Sequence, residues 1–93
     1  MQQLVYERAK TLLEAEFGDE LVALDAADGV CFGFNDVAAT VWRVLERPCT
    51  LADLKRALMQ EYDVGPAQCE TDVKDLLSVM VERHLISSRL AEL

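Results

Sequence analysis

The sequence predicts an α+β fold, with a three-stranded antiparallel sheet at the N-terminal side followed by three helices. Three observations carry this prediction. Between Leu21 and Trp42, two short apolar runs flank a four-residue turn and lead straight into an amphipathic stretch. From residue 35 onward, apolar residues recur at helical spacing behind residues suited to helix starts. The chain has 93 residues, 52% of them hydrophobic, with only 4 glycines and 2 prolines. That is the composition of one packed domain rather than of a disordered tail. A single domain is expected over residues 1–93, with its core at about 11–86 and a frayed tail at 87–93.

The strands come first. Thr11 to Phe17 alternates imperfectly and is assigned as strand, although Tyr6 to Glu16 also admits a helical drawing. Glu20 to Asp25 sets Leu21, Ala23 and Asp25 on one side and Val22 and Leu24 on the other, and Val30 to Phe34 follows. Gly18 and Asp19 make one turn, and Ala26, Ala27, Asp28 and Gly29 make the next. Gly29 suits the positive φ that closes such a hairpin.

The helices follow. Asn35 or Asp36 caps a stripe of Val37, Val41, Trp42, Val44 and Leu45, with Arg43 and Arg47 toward its C-terminal end, and Pro48 stops it. Thr50 stands three residues before Asp53 in a capping-box pattern, ahead of Leu51, Leu54, Leu58 and Tyr62. Asp63 to Gly65 ends this helix, and Pro66 suits the opening of the third. That helix is expected from about Ala67 to Arg83, with Cys69, Val73, Leu76, Leu77 and Met80 inward, before a short apolar exit at Leu85 and Ile86.

Hairpin strands followed by three short helices give a winged-helix-like arrangement. Its third helix would be the DNA reader, yet it carries Glu70, Asp72, Asp75 and Glu82 against Lys74 and Arg83. With 17 acidic and 9 basic residues, the net charge of −8 opposes a phosphate backbone. Nucleic acid is therefore disfavoured as a partner, and a basic or neutral peptide or a protein is favoured. No run approaches the ~20 apolar residues of a membrane span, and no secretory signal opens the chain. A cytoplasmic location and no membrane partner are expected.

Cys31, Cys49 and Cys69 form no closely spaced pair, and only His84 stands available to complement them. They read as free thiols of a reducing compartment, and no metal or cofactor is expected. His84 has no serine or cysteine motif beside it and reads as a surface or helix-end histidine. Carboxylates such as Glu14 and Glu16, or Asp72 and Asp75, are scattered, and the glycines are isolated, so neither paired acid–base catalysis nor a phosphate loop is indicated. The chain does not read as an enzyme.

Taken in order, LVALDAADGVCFGFNDVAATVWRVLERPCTLADL, EYDV and ETDVKDLLSVMVERHLI resemble the PqqD family, known more broadly as the RiPP recognition element. The resemblance lies in an apolar-Leu-Asp hairpin with a glycine turn, an aromatic-x-Gly pattern ending on Asn35, and a first helix ending in Trp42-Arg43-Val44-Leu45. A threonine-led second helix and an acidic-Asp-Val third helix ending in Leu85-Ile86 complete it. It covers about Glu20 to Ile86. Cys31 stands where the family usually has an aromatic residue, and Phe34 where leucine is usual.

This resemblance implies a stand-alone binding module, monomeric or paired through its strand edge. It would capture the leader segment of a ribosomally made precursor peptide and present it to a maturation enzyme: a radical SAM protein, a cyclase or a leader peptidase. The product class, whether pyrroloquinoline quinone, a lasso peptide or another, is left open. The leader would dock as an added strand on the third strand, at Val30, Cys31, Phe32, Gly33 and Phe34. Beside it, Asp72, Leu76, Val79 and Arg83 recur at i, i+4, i+7 and i+11 on the third helix. Asp72 would pair a basic leader residue, or is simply a carboxylate favoured by the helix dipole. Gly33 would admit a close backbone, or relieves crowding. Phe32 and Phe34 share a face and lean toward core, Cys31 points the other way, and Trp42 reads as the first helix's core anchor. The alternatives are a winged-helix regulator, or an adaptor that docks on an enzyme without touching peptide.

Overall fold

The structure, a computed structural model, describes residues 2–9, 12–25 and 29–92. Its elements run β1 (Gln2–Arg8), β2 (Leu12–Phe17), β3 (Glu20–Asp25), β4 (Val30–Phe34), α1 (Asp36–Val44), β5 (Cys49–Thr50), α2 (Leu51–Glu61), α3 (Pro66–Glu82) and β6 (Ile86–Glu92). The expected antiparallel sheet is β2-β3-β4, and the three helices follow it. Thr11, the turn residues Ala26, Ala27 and Asp28, and Leu93 lie outside the described residues.

Alternation sets the two faces of this sheet. Leu21 and Ala23 are buried in the core beneath it, as are Phe34 and, partly, Phe32 and Leu12. The register Leu21↔Phe34, Ala23↔Phe32 and Asp25↔Val30 lines these residues up on one face, and Leu13, Leu24 and Cys31 form a row on the other. Gly29 closes the hairpin at φ 68°, in the left-handed region that favours glycine.

Each helix begins where its sequence provides a cap. Asn35 Oδ1 accepts from the Ala38 N–H at 2.8 Å. Thr50 and Asp53 bond reciprocally, Asp53 N–H to Thr50 Oγ1 at 3.2 Å and Thr50 N–H to Asp53 Oδ2 at 3.0 Å. Pro66 sits at the start of α3, where its missing N–H costs no hydrogen bond. Val41, Trp42, Leu45, Leu54, Leu58, Cys69, Val73, Leu77 and Met80 are buried together against the β3–β4 face. α1 ends before Pro48, with Leu45 as its cap.

The tail departs from expectation. Residues 86–92 do not fray but form β6, which pairs antiparallel with β1 from Arg8↔Ile86 to Gln2↔Glu92. With the two-residue β5, these strands make a second sheet in the order β5-β1-β6. The physical reason is cooperative pairing. Neither polar segment could hold an extended form alone, but side by side their main-chain groups are satisfied, Leu4 meets Leu90, and Arg89 lies 3.4 Å from Glu7. Tyr6, at the start of the stretch that also admitted a helix, is in β1.

Candidate functional site

Among the described residues, three strands of five residues or more pair on one side only: β2, β4 and β6. Edge strands of natural proteins are commonly guarded by charge, because unpaired N–H and C=O groups invite another chain. β2 carries Glu14 and Glu16, and β6 carries Arg89 and Glu92. β4, which reads VCFGF, carries no charge at all. It is the strand singled out from the sequence as the third.

A cavity opens beside the start of this strand. Near the start of β4, Val30 and Phe32 face Glu82, Arg83 and His84 at the end of α3 across a cavity of about 250 Å³. The Arg83 guanidinium sits 5.8 Å from the centre of the Phe32 ring, a cation–π contact. Beyond the other end, Val37 of α1 and Asp72 of α3 share a smaller cavity of about 120 Å³ with Tyr62 and Cys69. Val30 thus shares one cavity with Arg83, and Val37, three residues after β4 ends, shares the other with Asp72. Leu76, half-buried, and Val79, exposed, fall between those ends on the same helix face. At 1.5 Å per residue, Asp72 to Arg83 spans about 16 Å, close to the roughly 13 Å from Val30 to Phe34. The structure thus brings Val30, Phe32 and Arg83 of the sequence-predicted residues to one cavity and places Asp72 at another, while Cys31, Gly33, Phe34, Leu76 and Val79 line neither.

Their roles differ. Val30, Cys31 and Gly33 are exposed, Phe32 is half-buried and Phe34 is buried. The Phe34 side chain belongs to the core. A Cβ built at Gly33 meets nothing within 4 Å, and the pairing Val22↔Gly33 is regular, so neither crowding nor a bulge accounts for this glycine. Asp72 Oδ1 accepts from Gln68 Nε2 at 2.8 Å, one turn earlier, and the side chain stays at the surface. Trp42 is the anchor the sequence suggests: it is 2% exposed, and its indole N–H donates to Glu14 Oε1 at 2.6 Å.

The three thiols are unpaired and sit in different surroundings: Cys31 exposed, Cys49 half-buried and Cys69 buried. Burial first, and then the nearby Asp53 carboxylate, push the Cys49 thiol up from its ordinary value, and it donates to the carbonyls of Arg47 and Val44. Among the described residues, no group of three histidines, cysteines or carboxylates is placed to hold a metal. Among the same residues, no helix is long and apolar enough to cross a membrane.

Sequence reasoning missed the other walls of these two cavities: Leu12, Asp25, Glu82 and His84 line the first, and Val37, Tyr62 and Val64 the second. His84 was visible only as a lone histidine. Its backbone at φ 61° appears only in the folded chain.

Fold and site together define a class of small α+β proteins that hold an uncharged strand edge open beside a helix. The chain belongs to the PqqD family, described as coenzyme PQQ synthesis protein D, whose sequence profile matches residues 20–86. A solved structure of TbiB1 in complex with the TbiA(beta) leader peptide is 26% identical and superposes with a TM-score of 0.77, covering 87% of this chain and 94% of the other. A structure of lasso peptide synthetase B1 complexed with the leader peptide shares the fold, at 24% identity and a TM-score of 0.76 over 88% of this chain and 96% of the other. No curated protein sequence matches the chain.

Proposed function

We propose that this protein captures the leader segment of a ribosomally synthesised precursor peptide as an added strand on β4, beside α3, and presents the peptide to a maturation enzyme. The observation that carries this reading is the uncharged edge of β4, which pairs on one side only and starts beside a cavity at the C-terminal end of α3. Membership of the PqqD family and likeness to a structure containing a bound leader peptide support it.

The physical basis is strand addition. An extended peptide on the free side of β4 gains main-chain hydrogen bonds, each contributing about 0.5–1.5 kcal/mol net. These bonds carry little sequence information, so selection falls to side chains. Every second peptide residue points to the face shared by Val30, Phe32 and Phe34 and enters the groove against Leu76, Val79 and Arg83. Asp72, exposed at the far end, is placed to pair a basic residue of the peptide. The chain's net charge of −8 draws such a peptide in at long range. The same charge, with Glu70, Asp72 and Asp75 along α3, works against the alternative of a DNA-binding regulator.

The test is a titration of isotope-labelled protein with the leader segment of the precursor peptide encoded beside it, followed by backbone amide shifts. Shifts concentrated at Val30 to Phe34 and along Asp72 to Arg83 are expected. A folded protein whose spectrum does not change at saturating peptide overturns strand capture, and leaves an adaptor that needs its enzyme first.

A further inference from the structure

We propose that the outer face of the β2-β3-β4 sheet is the docking surface for the maturation enzyme, and that the bound peptide completes it. This deepens the strand-capture reading above and rests on it. One face of the sheet is covered from within. Leu21, Ala23 and Phe34 pack into the core there, and both carboxylates of β2 turn to that side, Glu14 onto Trp42 and Arg8 and Glu16 toward Arg43.

The other face is largely bare and apolar. Its register rows are Leu13–Leu24–Cys31 and Ala15–Val22–Gly33, and Phe17 stands opposite Glu20, the one charged residue that these three strands place on it. Leu13 is 58% exposed, Phe17 67% and Leu24 36%, and Cys31 and Gly33 are exposed as well. Single exposed apolar residues are ordinary, whereas a contiguous set marks a surface that another molecule covers. The face is also shaped. Ala15 and Gly33 flank the buried Val22, and a Cβ built at Gly33 meets nothing within 4 Å, so this row lies low between the Leu13–Leu24 row and Phe17. A shallow depression of that kind takes a large apolar side chain from a partner.

The size and position of the face select its occupant. It offers on the order of a few hundred Å² of apolar surface, whereas a stable dimer covers about 800 Å² on each partner, so a second copy gains too little from it alone. The face runs without a break to the free side of β4 through Cys31 and Gly33. A strand added there extends each row by one residue. Its alternate side chains then stand on the outer face, while the others follow Val30 and Phe32 to the inner one. The enzyme must meet the peptide to act on it, and it covers peptide and face together. Its matching surface is uncharged and apolar, and it holds the loaded protein more tightly than the empty one because the peptide supplies the missing area.

The experiment uses the full chain, the leader segment of the precursor encoded beside it and the maturation enzyme encoded with them. Leader affinity and β4 amide shifts are measured for the parent, for a double variant Leu13→Lys with Phe17→Lys, and for Leu90→Lys, an exposed apolar residue of the second sheet that serves as control. Enzyme binding is then measured with and without leader, and the state of each protein alone by sedimentation. The double variant is expected to bind leader within about twofold of the parent and to lose about tenfold or more in affinity of its loaded form for the enzyme, while Leu90→Lys matches the parent in both. A double variant that holds the enzyme as tightly as the parent, or an enzyme that binds empty and loaded protein equally, overturns the docking face while the β4 shifts still stand. A parent that sediments as a dimer, with a monomeric double variant, overturns it too and assigns the face to a second copy. A leader that leaves β4 of the parent unshifted overturns the docking face and the strand-capture reading together.

Discussion

Phe34, the last residue of the open strand, stacks on Trp42 of the first helix with ring centroids 5.1 Å apart and planes inclined by 24°. The Arg8 guanidinium lies 4.3 Å from the centre of the Trp42 ring, and its Nε donates to the Trp42 carbonyl at 3.0 Å. Glu14 of β2 accepts from the indole and lies 3.5 Å from Arg8. Residues of β1, β2, β4 and α1 therefore meet around one side chain. The edge is held in shape before any peptide arrives, which reduces the ordering cost of binding.

Trp42 should accordingly matter more than any other single side chain. Trp42→Ala is expected to cost about 3–5 kcal/mol, measured by urea unfolding, since it removes a fully buried ring and leaves Glu14 without its indole donor. Trp42→Phe keeps most of the volume and should lose less. Equal stability of the alanine variant would contradict the packing described.

The edge and the groove can be tested apart. Cys31→Pro removes an N–H from β4 and fixes φ, and is expected to weaken leader binding by about tenfold or more while thermal unfolding stays cooperative. Asp72→Arg places a cation at the far end of the groove and should weaken binding of a basic leader by roughly threefold to tenfold. Because Asp72 is exposed, its replacement should change stability by no more than about 0.5 kcal/mol. If both variants bind a leader as tightly as the parent, as read by calorimetry, the site lies elsewhere.

The paired tail makes a separate prediction. Removing residues 87–93 takes away nearly all of β6 and leaves β1 paired only with the two-residue β5. The unfolding temperature is expected to fall by about 5 °C or more, whereas a frayed tail could be lost without effect. Differential scanning calorimetry decides between these.

Acid should loosen the start of α2. The Thr50 backbone N–H first, then the Thr50 hydroxyl and Arg56, hold the Asp53 carboxyl below its ordinary value, against a smaller opposing effect of burial. A carboxyl depressed in the folded state stabilises above its unfolded value, and that contribution is lost as pH falls through the folded one. The loss therefore begins below about pH 4. Asp53→Asn should flatten this acid limb of the unfolding temperature, and Thr50→Ala should cost about 1 kcal/mol at neutral pH.

Much of this protein was legible without coordinates because the signals are local. Asn35 and the Thr50–Asp53 pair start helices through bonds that span three residues. The stripes Leu54–Leu58 and Cys69–Val73–Leu77–Met80 bury themselves at helical spacing. Alternation alone put Leu21 and Ala23 on one side of β3 and Val22 and Leu24 on the other, as the register has them. Even the acid balance of α3 and the charge-free VCFGF run could be read directly.

What required the tertiary structure is whatever depends on residues distant in sequence. The pairing of Leu4 with Leu90 turns two weak polar segments into strands, because main-chain groups that neither could satisfy alone are satisfied together. That β4 is an edge is a fact about its neighbours: β3 takes one side, and no described strand takes the other. The cavity beside its start exists because packing brings the end of α3 to the sheet, carrying Arg83 to Phe32 and His84 to the end of the row through Val30. Hydrogen bonding and side-chain period are written along the chain, whereas an open edge and a cavity are made by packing between segments, and only the folded chain brings those segments together.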